Sequence, residues 1–546
     1  MKRVSFLILL FTIFLLACSL LEDTVSNTPA PVASPTAVAI SLGDSTLTGT
    51  PDVKGTPVVR ATPTTIATPP GLLTVNSLTT PDVSVTSSHT AANTQKISSG
   101  TVDLKVTGFE LTQGVSDEPL LLGKATVARV RVSLPSDSNV EARVTLQVNS
   151  KSYSGQGTLI GPESTINLKI DDPAVLETIN VRATVNPVSP VTDSRAEDNT
   201  ATATYQTVQA PEKVSVFFLP VDWSESEMNT FDFNNAFKKF AQDNADFFAG
   251  AYPLAKNGLI VNYTLTPHML STFEKTLADS QGKFSYRNAL ALYGSISIVG
   301  RRYQPNATIV VGVMPPRWFK NHGRAGTLGL TLREVKGTVT GEFDATDPTT
   351  AAHEVGHLYN LYEDYDYAVE PPRPGVEINA PEFWVQRYRE MTSSSTARLW
   401  TFLSSGSSKV VYWADNRIYD FLLARFALNG GRASAPLILA ATMDWEIEPE
   451  GNPADYSAGI LRFEPKQPIF VSVAGISLNA GSKIEARLFR GNSQISTLTQ
   501  TASAGNKWYA FTLSKDGSLS QAQYHVDIYL DGTRVKSSQF EVKASK

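Results

Sequence analysis

Cysteine is almost missing from this sequence: Cys18 is the only one among 546 residues, so no intrachain disulfide stabilises the fold. Histidine is nearly as scarce, with six in all, and two of them standing close together therefore carry weight. A dominant charge is missing too. Lys and Arg number 47 against 52 Asp and Glu, a formal net charge of −5 with no basic stripe, which excludes a nucleic-acid surface. Between Glu22 and Gly100 there is no Phe, Trp or Tyr. Such a stretch cannot bury enough apolar surface to offset the entropy of ordering it. Repeated Thr-Pro pairs (Thr28-Pro29, Thr50-Pro51, Thr56-Pro57, Thr62-Pro63, Thr68-Pro69, Thr80-Pro81) keep it extended. Residues 18–100 read as a disordered Thr/Pro/Ser-rich linker.

What precedes the linker is an export signal. Lys2-Arg3, a largely apolar stretch from Val4 to Leu16 and then Ala17-Cys18 have the layout of a secretory leader, and the apolar stretch is short for a transmembrane helix. Leu15-Leu16-Ala17-Cys18 resembles the lipobox of bacterial lipoproteins. The resemblance implies a signal peptide over residues 1–17, cleavage before Cys18 and lipidation of its thiol. It puts the protein at the cell membrane, lipid-anchored and facing outside the cytoplasm.

Beyond the linker the periodicity changes twice. Residues 101–210 alternate apolar and polar, as in Val127–Leu134 and Ala142–Val148, with turn residues such as Pro135 to Asn139 between the runs. This predicts an antiparallel β-sandwich. Its end, Val181 to Pro187 and then Ala196 to Tyr205, resembles immunoglobulin-like modules of bacterial surface proteins. Residues 211–431 carry mixed signals. Val214–Val221 is a nearly continuous apolar run suited to a buried strand, and Phe233, Phe237, Phe240, Phe247 and Phe248 follow at helical spacing as a core stripe. Leu259–Leu265 and Ala307–Val313 read as further strands, and Gly326–Leu332 as a glycine-containing strand whose glycines would let another backbone approach closely. Residues 432–546 alternate again: Ile469–Ala474, Ile484–Phe489 and Tyr524–Val535, with Asp531-Gly532 as a hairpin signal, predict a second β-sandwich. His525 falls in one of its strands and reads as structural.

His353-Glu354-Val355-Gly356-His357 is the run whose residue types dictate a chemistry. On a helix, positions i and i+4 share a face, so two neutral imidazoles can bind one Zn²⁺ while Glu354 serves as base to a metal-bound water. Asp347-Pro348 reads as N-cap and first helical residue of that helix.

A catalytic zinc needs a third protein ligand. The sequence continues with Asn360, Glu363, Asp364, Tyr365 and Asp366, and here it resembles the metzincin clan of zinc endopeptidases, with the run from Leu361 to Asp366 similar to secreted immune-inhibitor-A-like bacterial peptidases. In their pattern a glycine turn leads to a third ligand six residues after the second histidine. Asn360 takes the glycine position here and can adopt the left-handed conformation. Glu363 takes the ligand position, with Asp364 the second choice and Asp366 a weaker one. A gluzincin arrangement would instead nominate Glu377, Glu382 or Glu390. The resemblance also implies a Met-turn at Met391, and Val411 to Leu423 is similar to the stretch that follows such a turn. Ser393 stands where some members carry a Tyr, so the sequence identifies no oxyanion donor, and neither Tyr365 nor Tyr412 is assigned that role. Arg317, His322 and Arg324 precede Gly326–Leu332, whose position the zinc proteases fill with an edge strand that pairs with substrate; they read as solvated loop residues, with substrate contact the alternative.

The fold expected on these grounds is multidomain: an α/β (α+β) zincin-like catalytic domain flanked by two all-β immunoglobulin-like sandwiches. The expected function is a membrane-anchored, extracytoplasmic zinc-dependent endopeptidase acting on a protein or peptide substrate, with Zn²⁺ as cofactor. The alternative is a non-catalytic surface adhesin or glycan-binding protein with a vestigial zinc site, making cell-surface or glycan contacts through its β modules. A zinc hydrolase of a non-peptide bond is a third reading.

Overall fold

A computed structural model describes residues 72–74, 83–87 and 95–544, except 116, 136–137, 231, 280, 325–326, 333, 345–348, 363–367, 370–398, 404–410, 455–456 and 516. Pro69–Lys546 forms one compact unit.

Eight strands build its first part: β1 (Val83–Ser87), β2 (Lys105–Thr112), β3 (Thr126–Ser133), β4 (Ser138–Val148), β5 (Lys151–Ile160), β6 (Glu163–Ile170), β7 (Ile179–Pro187) and β8 (Thr200–Tyr205). They form two antiparallel sheets, one ordered β1-β6-β3-β2 and the other β8-β7-β4 with β5 on the far edge of β4. Alternation in β3 and β4 sends Ala128, Val130, Val132, Ala142, Val144 and Leu146 into the core between the sheets. Arg129 breaks the rule, being fully buried on the opposite side of β3, where Glu110 pairs with it.

The middle of the chain is built around a six-stranded sheet. Its strands β9 (Val214–Pro220), β10 (Leu259–Tyr263), β11 (Ile309–Met314), β12 (Gly329–Thr331) and β13 (Thr338–Glu342) lie in the order β10-β9-β11-β13-β12, with Leu73–Thr74 completing the sheet beside β10. β10, β9, β11 and β13 run parallel, and β12 pairs antiparallel to β13 as the edge. Parallel strands covered on both faces need apolar side chains throughout, and every residue of β9 and β11 is buried. Val216 and Phe218 join the core under helix α1 (Phe233–Ala251), where the stripe Phe233, Phe237, Phe240, Phe247 and Phe248 packs. Phe217 and Leu219 face the other way, toward Leu292, Tyr293 and Ile296 of α2 (Tyr286–Tyr303). Two further helices follow, α3 (Thr349–Leu358) and α4 (Asn416–Ala427).

The last part contains β14 (Leu437–Asp444), β15 (Ile469–Leu478), β16 (Lys483–Arg490), β17 (Ser493–Thr501), β18 (Gly505–Ser514), β19 (Ala522–Leu530) and β20 (Thr533–Val542). One sheet is β14-β15-β18, and the other runs β20-β19-β16-β17, with Arg462–Phe463 beside β20. Asp531 and Gly532 have φ of 49° and 83°, the left-handed pair that a two-residue hairpin between β19 and β20 requires.

The expected fold class is corrected here. Among the described residues strand is more than twice as common as helix and is spread over several sheets, and they do not define an α/β zincin-like catalytic domain. The physical reason is one of scale: a metal-binding motif fixes the ten residues of α3, whereas layer architecture follows from the apolar periodicity of the whole chain.

Buried polar contacts join the parts. Lys124 reaches across from the first sandwich to the end of α1, donating to the carbonyls of Gly250 at 3.2 Å and Tyr252 at 2.8 Å and also to that of Ala249. The Lys536 ammonium on β20 lies 2.6 Å from both Glu118 of the first sandwich and Asp420 of α4. Asn416 adds a 2.8 Å bond to Glu118.

Candidate functional site

The H-E-x-x-H residues lie on α3, whose apolar side, Ala351, Ala352 and Val355, is buried against the central core. The hydroxyl of Tyr252, the residue that caps the C-terminus of α1, donates to the Ala352 carbonyl at 2.6 Å and fixes α3 against its neighbour. Gly356 admits the segment that follows the motif in space: a Cβ there would come within 3.0 Å of Leu403 and 3.2 Å of Phe402.

Both histidine rings are held from behind by backbone. His353 Nδ1 lies 3.0 Å from the Phe402 carbonyl and His357 Nδ1 lies 2.9 Å from the Leu361 carbonyl. A carbonyl only accepts, so each Nδ1 carries the proton and each Nε2 is left with its lone pair. The two Nε2 atoms face each other at 3.0 Å. Burial, and then the nearby His357, push the His353 pKa down to about 3 against the Phe402 bond, which keeps the ring neutral. Two lone pairs that close repel unless a cation lies between them. Two nitrogens on one tetrahedral zinc stand roughly 3.3 Å apart, so the pair fits that ion.

Glu354 is enclosed. It is 6% exposed, and the Thr331 hydroxyl on β12 lies 2.6 Å from its Oε2 and 3.0 Å from its backbone carbonyl. β12 crosses directly over it, since a Cβ on Gly329 would stand 2.4 Å from Oε1. The strand expected to receive another backbone thus has its inner side closed down on the carboxylate. Gly329→Ala should therefore lower stability by about 1–3 kcal/mol through overpacking, read as a fall in urea midpoint. An alanine variant as stable as the parent would show that β12 does not press on Glu354.

Asn360 has φ of 70°, the left-handed turn expected after the motif. Its carbonyl accepts from Ala458 at 3.1 Å, and Tyr362 N donates to the Ala458 carbonyl at 3.0 Å, so the turn is sewn to the segment leading into the last sandwich. The expected ligand Glu363 lies outside the described residues. So do Asp364, Tyr365, Asp366, Glu377, Glu382, Glu390, Met391, Ser393, the cap Asp347-Pro348 and Cys18. The arginines and histidine before the edge strand are engaged in structure. Arg317 is left-handed, with φ of 65°, and donates its N–H to Glu342 at 2.8 Å. His322 stacks on Trp318 at 4.3 Å, and Arg324 lies over the Phe284 ring at 4.7 Å.

Sequence reasoning did not find Thr331, because its link to Glu354 depends on β12 being folded over α3. The glycine at 329 was the available signal: it marked close approach, but by this chain's own helix.

No family model and no curated protein matches the chain. Similar solved structures include the CARDB domain of a Pyrococcus furiosus protein in complex with di-metal ions, at 18% identity over 22% of this chain and 99% of that one, TM-score 0.16. Another is OgpA from Akkermansia muciniphila, at 11% identity over 62% and 94%, TM-score 0.25. The exo-chitosanase of Amycolatopsis orientalis is similar at 11% identity over 86% of this chain and 64% of that one, TM-score 0.20. At TM-scores of 0.16, 0.25 and 0.20 none of these transfers a fold or an activity to this chain.

The metzincin-like metalloprotease assignment, and with it the zinc metalloendopeptidase activity, does not hold. Among the described residues no group of three or more His, Cys, Asp or Glu side chains is placed to hold a metal ion. The H-E-x-x-H run supplies two nitrogens and a carboxylate lodged under a strand, and a local spacing cannot reveal that cover.

Proposed function

We propose that this chain is an exported glycan-binding protein, attached to the membrane through Cys18, whose central part carries a divalent metal between His353 and His357 without acting as a protease. The observation that supports binding over cleavage is the enclosure of Glu354 by Thr331 and β12. The ligand class is suggested by the outer face of the last sandwich, where the stacked Phe489 and His525 rings and Tyr529 stand beside fixed charged groups.

Zinc suits two neutral imidazoles, and when bound it would act as a Lewis acid on any group reaching its remaining positions. The chain's own contribution is to orient both rings through the Phe402 and Leu361 carbonyls, which leaves the two Nε2 lone pairs turned toward each other.

Titration of the lipid-free mature chain with Zn²⁺ should show one site, and His353→Ala or His357→Ala should weaken it at least a hundredfold. Binding to an oligosaccharide array should survive EDTA. Absence of any array binding would overturn the glycan reading. Turnover of a glycan ester or glycoside, lost in Glu354→Gln, would overturn the binding-only reading. Export and lipidation predict incorporation of labelled palmitate that disappears in Cys18→Ser.

A further inference from the structure

The two sandwiches share an architecture but not an outer surface. In the first, the solvent side of the β8-β7-β4-β5 sheet is formed by Glu141, Arg143, Thr145 and Gln147 of β4 and their cross-strand partners, which are Ser, Thr, Asn, Gln and Arg residues. No ring stands among them. In the last, the equivalent side of β20-β19-β16-β17 places Phe489 opposite His525 and Glu485 opposite Tyr529. The sheet geometry is satisfied without aromatics in one module, so their presence in the other calls for a separate reason.

The groups on this face are positioned by one another. Phe489 and His525 stack with centroids 4.7 Å apart and planes 2° apart. The Arg487 guanidinium lies 3.8 Å over the Tyr529 ring and 3.0 Å from Glu485, which also takes Lys483 at 2.8 Å. Asp527 holds Arg534 at 3.1 Å and accepts from the Ser537 hydroxyl at 2.7 Å. Glu485 and Asp527 are each 6% exposed although their strands face solvent, because the rings and guanidinium groups close over them. Phe489, His525, Tyr529 and Arg487 themselves remain half-buried, with surface to offer. Charged residues fixed by two partners each have little rotamer entropy left to lose on binding.

We propose that this face, centred on Arg487, Phe489, His525 and Tyr529, binds the pyranose rings of an oligosaccharide. A pyranose presents apolar C–H groups on one side and hydroxyls around its rim. The ring pair would take the C–H side, and the oriented guanidinium and carboxylate groups would pair with vicinal hydroxyls, as polar groups fix orientation in other small-ligand sites. Thr497 and Thr499 of β17, directly opposite Arg487 and Glu485, extend the surface toward the free edge of the sheet.

The proposal rests on the glycan-binding reading and is tested separately from it. The mature chain is screened on an array of immobilised pyranose oligosaccharides, and its best binder is titrated against variants. Phe489→Ala and Arg487→Ala should each weaken binding at least tenfold. Thr497→Arg, which leaves every contact above in place and adds bulk to an exposed strand, should do the same. Thr145→Ala, on the outer face of the first sandwich, should stay within twofold. Circular dichroism melts confirm that the variants are folded. Array binding that persists unchanged in all three face variants would overturn this site and leave glycan binding standing elsewhere. A wild type that binds nothing on the array overturns both.

Discussion

Lys536→Met will destabilise the protein by about 3–5 kcal/mol, the cost of leaving buried carboxylates without their cation. The Lys536 ammonium is pulled down by burial, but Asp420 and Glu118 outweigh that and hold it above the usual lysine range. Asp420 is raised well above the usual carboxyl range by burial and by Glu118, against the pull of Lys536. Without the cation, Glu118 and Asp420 face each other with Asn416 as the remaining neutral donor to Glu118. The loss should shrink as pH falls and Asp420 takes up its proton, and the triple variant Glu118→Gln, Asp420→Asn, Lys536→Met should recover most of it. Urea titration of the three proteins reads all of this. A single variant within 1 kcal/mol of wild type, as a rough threshold for exposed pairs, would mean that solvent reaches the cluster.

Lys124 makes stability depend on pH in the opposite direction from an ordinary surface amine. Burial pushes its pKa from 10.5 down to about 7, against the pull of Asp172. Between about 7 and 10.5 the native amine has shed a proton that the unfolded chain still holds. The unfolded state then binds more protons, so stability rises with pH across that window. Below it both states are charged and the contribution is constant. Relative to Lys124→Met, the wild type should gain stability at up to about 1.4 kcal/mol per pH unit between roughly pH 7.5 and 9.5. Subtracting the two curves removes every other titrating group. A flat difference would place the amine in contact with water.

Some of this architecture was legible in the sequence because local periodicity carries it. The run from Val214 shows as β9, and the phenylalanine stripe shows as the inner side of α1. Asn360 was readable as a turn because few residues besides glycine adopt its conformation. The motif on α3 was readable as a potential metal pair for the same reason: i and i+4 share a face whatever surrounds them. What covers that face was not. Thr331 is 23 residues from Glu354, and nothing in its neighbourhood marks it as a partner. Arg129 sat in an alternating strand at a position that predicted exposure, and only the approach of Glu110 across the sheet explains its burial. Glu118 and Lys536 are 418 residues apart and carry no shared pattern at all. The class was misread in the middle of the chain, where the five residues of the motif were given more weight than the strand signals around them.

The cluster of Glu118, Asp420 and Lys536 also bears on how such a chain can change over generations. Sandwich modules are commonly traded between proteins as cassettes, since a sandwich carries its own core. Here each excised piece would expose a polar group shaped for a partner left behind. Recombination at the borders therefore meets a barrier that no linker length can remove, and the three parts are bound to vary together rather than be exchanged one by one.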